Sequence, residues 1–493
     1  MDRTFRSSRF PRPPRSSRPR GSGALLRGLS LLLILSIVQR LVGFGRSVYF
    51  CHTLDDAALG VWELCYGFLV VASPLVVFSI PGTMGRYAPL FGQSGSLRAF
   101  LCRIATLCAL TTFLASLTIF LTPTLWSRLI LRASDECSGR LILWMAIALF
   151  LTNVMNFAWE MFTALKDLWA TAMVQFGNSV AFLVAGVFFL RRDPTGNAVM
   201  IAYVLACVVT IMWSVWRTKR LWRTLPVDTE SLGTMELLRR IGRTAFWLWC
   251  GVVMVLMFSY IDRLLPVWLI TDPAIGVRVA GVCGCAGVVP QLLVSITTMF
   301  VAAMTPHFSE DWNRGNRRRL RRRLDFFLRT QTFLLCVAAV VMLWCVPWPL
   351  RPLFLDRYPG AVAIFPWITV SMILLAGIQI VQSWFLCAER LGFAVASLGV
   401  GLIFKTVLAM ILVPRYGLNG VVTSMVVAHT ATLLLLSGLA WYQGFRPGRM
   451  TLMVLVIPFS IGGGPVIATV VCGIGGVVLL PSLYRAVIRA AYR

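Results

Sequence analysis

Acidic residues are scarce in this chain: 19 Asp and Glu stand against 46 Lys and Arg in 493 residues, and only three residues are His. Charged residues of both signs make up 13% of the sequence, where a soluble globular domain carries about 25%. So little polar material excludes a large water-soluble body. Patterns that announce chemistry are missing too. There is no Gly-rich loop ending in Lys and Ser or Thr to cradle nucleotide phosphates, and no HExxH pair for zinc. Cys283 and Cys285 do not have CxxC spacing, and Cys102, Cys108, Cys207, Cys250 and Cys336 lie inside apolar runs, where a small, weakly polar side chain packs well. No metal, cofactor or disulfide framework is expected, and the chain does not read as an enzyme. Asp55-Asp56 is more simply a polar turn than the metal-holding pair of a transferase.

Hydrocarbon is what the sequence has in excess. Hydrophobic residues make up 58% and the mean hydropathy is +0.80. Apolar runs of bilayer length recur from one end to the other, with the charges between them. This pattern predicts an all-α polytopic membrane protein with spans at 28–50, 62–86, 101–123, 140–163, 168–190, 196–216, 243–268, 276–304, 328–347, 361–384, 392–413 and 419–441. A last stretch, 450–484, has Gly and Pro around 462–465 and predicts a helical hairpin, for about fourteen transmembrane helices.

The formal charge of +27 would suggest nucleic acid in a soluble protein, but here the cations flank apolar segments and set orientation. The first 27 residues, rich in Arg, Pro and Ser, predict a disordered basic cytoplasmic tail, an anchor on anionic membrane lipid or simply a topology signal. Dense basic clusters at Arg217–Arg240 and Arg314–Arg323 then fall on the cytoplasmic side, as do both termini. Arg128, Arg132, Arg191 and Arg192 fall outside and break that rule. The longest polar interruption, the connector 217–242, divides the chain into lobes 28–216 and 243–441 of six spans each, as a rocking transporter needs.

Ionisable groups within hydrocarbon are costly and mark cavities or partners. Arg40, Arg46, Arg263 and Lys405 outnumber the acids at membrane depth. Cations without partners in a cavity suit an anionic headgroup such as a diphosphate, which the planar Arg fork matches. The alternatives are snorkelling to the interfaces and pairing with Glu63, Asp262 or Glu160. Glu160, Asp262 and His429 are candidates for ion coupling, and His429 serves equally as a helix–helix hydrogen-bonding group. Gly281, Gly284 and Gly287 permit close helix contact.

Several short motifs, in order, carry a family likeness. Arg40-Leu-Val-Gly-Phe-Gly-Arg46 followed by Leu54-Asp-Asp-Ala-Ala-Leu-Gly-Val-Trp62, then Ser73-Pro74, Gly82 and Arg86-Tyr87, resembles the opening of O-antigen-type polysaccharide flippases. These belong to the multidrug/oligosaccharidyl-lipid/polysaccharide (MOP) superfamily. In the second half, Tyr260-Ile-Asp-Arg-Leu264, Ala274-Ile-Gly-Val277, Pro306 and Arg415-Tyr-Gly-Leu-Asn-Gly420 continue the resemblance. It implies two six-helix bundles in a V-shaped arrangement. It also implies movement of an undecaprenyl-diphosphate-linked oligosaccharide between leaflets of a bacterial cytoplasmic membrane, in company with surface-polysaccharide assembly proteins such as a glycan polymerase. Arg46 and Arg263 would then be cavity cations near the diphosphate. The long basic tail, His52 and the 450–484 end depart from the family pattern. The rival expectations are an ion-coupled exporter of drugs or metabolites with the same fold, a membrane-bound glycan enzyme, and a non-transporting scaffold.

Overall fold

The computed structural model describes residues 22–491 except 94, 134–135, 227–232, 347, 349–350, 352–356, 359 and 389. The Arg-rich tail before Ser22 and the middle of the expected connector therefore lie outside the described residues. Every regular element described is helical. In chain order these are α1 (Ser22–Thr53), α2 (Asp56–Val76), a 3-10 turn (Pro81–Thr83), α3 (Met84–Gln93), α4 (Leu97–Leu121), α5 (Pro123–Leu131), α6 (Glu136–Ala164), α7 (Leu168–Leu190) and α8 (Gly196–Trp222). There follow α9 (Thr234–Leu269), α10 (Pro273–Gly287), α11 (Gln291–Asn313), α12 (Arg317–Cys345), α13 (Ala361–Cys387), α14 (Leu391–Tyr442), α15 (Arg449–Val454), a 3-10 turn (Ile457–Gly463) and α16 (Pro465–Ala491). Among the described residues, ten helices are long and apolar enough to cross a membrane, with α14 counted as one.

The few acids begin and brace these helices. Asp55, Asp167 and Asp272 each accept a hydrogen bond from a backbone N–H in the first turn of α2, α7 and α10, which satisfies an orphan donor at the helix start. The Asp55-Asp56 pair is thus a helix start. Asp167 also holds Arg217 at 2.6 Å, and Asp311 holds Arg323 at 2.6 Å. Parts of both basic clusters are tied down in this way.

Two expected spans are broken, each for a backbone reason. The run 62–86 is two helices, because the chain turns at Phe78 and Ser79, both with positive φ, before Pro81. Pro81 has no N–H to continue a helical ladder. The run 276–304 breaks at Val288–Pro290, leaving α10 and α11 end to end. The expected spans 392–413 and 419–441 are the two helices of α14, which meet at a sharp bend at Gly417 (φ 52°, ψ −123°), three residues after Pro414; a Cβ added at Gly420 would fall 2.3 Å from the Leu412 carbonyl oxygen. The Gly417 conformation is open to Gly at little steric cost. At the far end the chain reverses at Gly464 (φ 97°), and α16 returns so that Gly475 lies against Ile457.

Helices α1 to α8 pack chiefly on one another, with α6 and α7 against α8, α1 on α7 and α4 on α6. Helices α9 to α16 likewise pack around α13 and α14. The principal seam between the two sets joins α2 to α10 and α9. It is closed at the end of the molecule opposite the basic clusters. A Cβ added at Gly60 would fall 2.0 Å from the Val277 carbonyl oxygen, and one at Gly281 would fall 2.0 Å from the Asp56 carbonyl oxygen. Backbone therefore meets backbone across the seam, which small residues alone allow.

Candidate functional site

Below that seam, toward the end carrying the basic clusters, the two helix sets part around a cavity of about 860 Å³. Its walls come from the middle of α1, the second half of α2, the second half of α6, the first half of α7, α9 and the α10–α11 break. Pro74 inside α2, the turn at Phe78–Ser79 and Pro290 all interrupt helices at this level. The breaks bring irregular backbone to the cavity and not to lipid, in keeping with the cost of unsatisfied backbone groups in hydrocarbon.

Arg40 and Arg46 of α1 both line the cavity. The Arg46 guanidinium lies 4.2 Å from the centre of the Phe182 ring and 6.0 Å from that of Phe50, a cation–π seat. Its Nε is buried without a hydrogen-bond partner, and among the described residues no carboxylate lies within ion-pair distance of it. The seat is rigid: Phe50, Trp62, Phe182 and Tyr203 pack edge-to-face or tilted with centroids 5.2 to 6.3 Å apart. Tyr203 is fixed in turn by a 3.0 Å hydrogen bond to Thr152. Glu160 is also on the wall, near the wide end, with no cation in ion-pair distance among the described residues.

The other expected cavity cations are elsewhere. Arg263 does not line the cavity; it pairs with Glu63 at 3.1 Å across the closed seam, joining α9 to α2. Lys405 is wholly buried and does not line the cavity either. Its ammonium donates to the Asp262 carboxylate at 2.6 Å and to the Phe258 carbonyl at 2.7 Å. The expectation of a partnerless cavity lysine is corrected: α9 presents Asp262 at the height of Lys405 on α14, and burial makes the pairing obligatory. Asp262 is therefore engaged too. His429, 1% exposed, stands on α14 with its ring 5.1 Å from that of Phe258 and Nδ1 3.1 Å from the Ser371 carbonyl. Lys405, Asp262 and His429 thus form one buried cluster around Phe258, apart from the cavity.

The charge pattern missed the neutral polar wall. Asn153 and Asn156 of α6, Gln175, Asn178 and Ser179 of α7, and Ser73 of α2 all line the cavity. The signal was present as polar residues at three- and four-residue spacing on otherwise apolar helices, which places them on one face. Among the described residues no group of three or more His, Cys, Asp and Glu is placed to hold a metal ion.

No protein-family profile matches this chain, and no curated protein matches it by sequence. Solved structures do resemble it in fold. The inward closed conformation of the lipid II flippase MurJ is 14% identical with a TM-score of 0.63, over 92% of this chain and 99% of that one. An inward-facing multidrug resistance MATE family transporter of the MOP superfamily is 16% identical with a TM-score of 0.65, over 83% and 98%. The eukaryotic MATE transporter AtDTX14 is 15% identical with a TM-score of 0.58, over 88% and 99%. The chain has the all-helical membrane-protein fold that these transporters share.

Proposed function

We propose that this protein is an alternating-access transporter that moves an undecaprenyl-diphosphate-linked oligosaccharide from the cytoplasmic to the outer leaflet, for export of a cell-surface polysaccharide. The observation that carries the reading is Arg46: a guanidinium on a cavity wall, seated on aromatic rings, with no carboxylate partner among the described residues. A phosphate supplies the two acceptor oxygens its fork takes, and Arg40 on the same helix adds a second cation. Helices α1–α8 and α9–α14 act as the two six-span halves of a V, with α15 and α16 as an added hairpin for about fourteen spans. In this reading the cavity opens toward the cytoplasm of a bacterial cell, the side that the positive-inside rule favours for the basic clusters and both termini. Surface-polysaccharide assembly proteins such as a glycan polymerase are the partners this role needs, and anionic lipids meet the exposed arginines of α12. The protein carries a substrate and performs no chemistry on it.

A second reading, an ion-coupled exporter of drugs or small metabolites, is supported by the fold comparison, in which multidrug transporters figure alongside the flippase. Glu160, on the cavity wall with no cation in ion-pair distance among the described residues, favours it because a carboxylate attracts a small cation. The two readings separate in the cell. With the gene deleted, flipping predicts that lipid-linked intermediates accumulate on the cytoplasmic leaflet, and that an Arg46→Ala copy fails to clear them. Complete surface polymer without accumulation, together with new drug sensitivity, selects the exporter.

A further inference from the structure

Among the described residues, four polar atoms on the cavity wall are buried without a hydrogen-bond partner: Arg46 Nε, Asn153 Nδ2, Asn178 Oδ1 and Ser79 Oγ. Buried polar groups left unpaired are costly, and their grouping on one wall needs a reason. Asn153 is only 5% exposed and is held in place. Its Oδ1 accepts from the Ser73 hydroxyl at 2.6 Å, and Ser73 Oγ accepts from Asn156 Nδ2 at 3.1 Å. This chain of bonds consumes the acceptor side of the Asn153 amide and leaves its N–H groups free. On the neighbouring helix the buried atom of Asn178 without a partner among the described residues is its acceptor oxygen.

A free donor and a free acceptor on adjoining helices match a group that accepts and donates from the same atom, which is a hydroxyl. Asn178 precedes Phe182, the seat of Arg46, by one helical turn, and Gln175 precedes it by two. At 1.5 Å per residue these positions lie about 6 and 10 Å along α7 from Phe182, whose ring centre is 4.2 Å from the Arg46 guanidinium. A sugar ring esterified to a phosphate held at Arg46 reaches that far. An apolar drug cation would leave the same amides unpaired. We propose that Asn153 and Asn178, braced by Ser73 and Asn156, form a saccharide subsite that recognises ring hydroxyls next to the phosphate. This inference rests on the anion-binding reading of Arg46 and adds the residues that select the sugar.

The test uses the full-length protein in nanodiscs of uncharged lipid, with glucose 1-phosphate and methyl phosphate as probes and calorimetry as the readout. Glucose 1-phosphate binds about tenfold more tightly than methyl phosphate, as expected of one to two added hydrogen bonds. Asn153→Leu and Asn178→Leu each remove most of that margin, whereas Asn153→Gln, which keeps the amide, retains part of it and controls for folding. Arg46→Ala weakens both probes together and leaves their ratio. Equal affinities in the unaltered protein, or a margin indifferent to both Leu variants, overturn the saccharide subsite alone. Methyl phosphate binding that is indifferent to Arg46→Ala overturns the anion site. Failure of both esters to bind overturns the two together.

Discussion

Arg132 and Trp268 each bind the backbone of the other's helix. The Arg132 guanidinium donates to the carbonyls of Val267 and Ile270 at 3.0 and 3.1 Å, at the C-terminus of α9. The Trp268 indole donates to the Leu129 carbonyl of α5 at 3.0 Å, and the guanidinium carbon stands 5.7 Å from the centre of the indole ring. An arginine at a helix C-terminus satisfies orphan carbonyls and complements the helix dipole. Arg132 itself has a φ of 52°, a conformation uncommon for a residue with a Cβ. This clasp gives a structural reason for an arginine that the positive-inside pattern does not explain: Arg132 joins two helix sets at the end opposite the basic clusters.

Arg132→Ala therefore weakens closure of the seam. Loss of these partly exposed, charge-assisted bonds is worth about 1–2 kcal/mol, or roughly five- to thirtyfold in the open-to-closed ratio. Cys51 and Cys285, both buried and lying against each other where α1 meets α10, are native reporters. A membrane-impermeant maleimide applied from outside, followed by peptide mass spectrometry, labels them several-fold faster in the variant. Unchanged labelling counts against the clasp.

The glycine seam gives a sharper contrast. Gly60→Ala and Gly281→Ala each place a methyl about 2 Å from a carbonyl oxygen of the facing helix, so backbone must move. Both variants are expected to expose the same cysteines and to lose transport at matched expression. Gly287→Ala, where nothing lies within 4 Å, is expected to leave labelling unchanged. Equal effects at all three positions would show that helix propensity, and not contact, is at work.

The Asp262–Lys405 pair is expected to behave as a structural unit. Lys405→Met or Asp262→Leu alone leaves a buried charge without its partner, at a cost of about 3–5 kcal/mol. The double variant removes both charges and recovers most of that loss. Thermal unfolding in nanodiscs reads the difference. Single variants as stable as the parent would return Lys405 to the role of an available cation.

At Arg46 the shape of the charge matters as well as its sign. Arg46→Lys keeps the cation but loses the fork and the flat face that rests on Phe182. Its affinity for methyl phosphate in the nanodisc measurement is expected to fall by about three- to tenfold, with Arg46→Ala falling further. Equivalence of Lys and Arg would mean that Phe182 does not position the group.

Much of the helical framework was legible because bilayer length and charge spacing dictate it. Helices α4, α7 and α13 lie close to the apolar runs that predict them. Breaks at Phe78–Ser79 and Val288–Pro290 were not legible, since a proline inside an apolar run reads equally as a kink. The division at Arg415-Tyr-Gly-Leu-Asn-Gly420 was legible, because Pro414 and two glycines between apolar runs read as a turn, and the chain bends sharply at Gly417. In the site, Arg40, Arg46 and Glu160 carried a visible signal, charge at membrane depth, and all three line the cavity. Arg263 and Lys405 carried the same signal and have carboxylate partners on helices distant in sequence. Periodicity says which face a residue occupies, but not which helix that face meets. The amides of α6 and α7 bear no charge, so no cost of ionisation at membrane depth marks them in the sequence.

A lipid-linked anion is proposed to cross the bilayer through the Arg46 cavity. The direct measurement reconstitutes the purified protein in liposomes holding an isoprenyl-diphosphate-linked saccharide, and follows its appearance in the far leaflet with an impermeant glycosidase. Protein-dependent movement that Arg46→Ala reduces at least tenfold is the predicted result. No movement of the lipid-linked saccharide, together with export of a small organic cation that Arg46→Ala does not slow, would contradict the account.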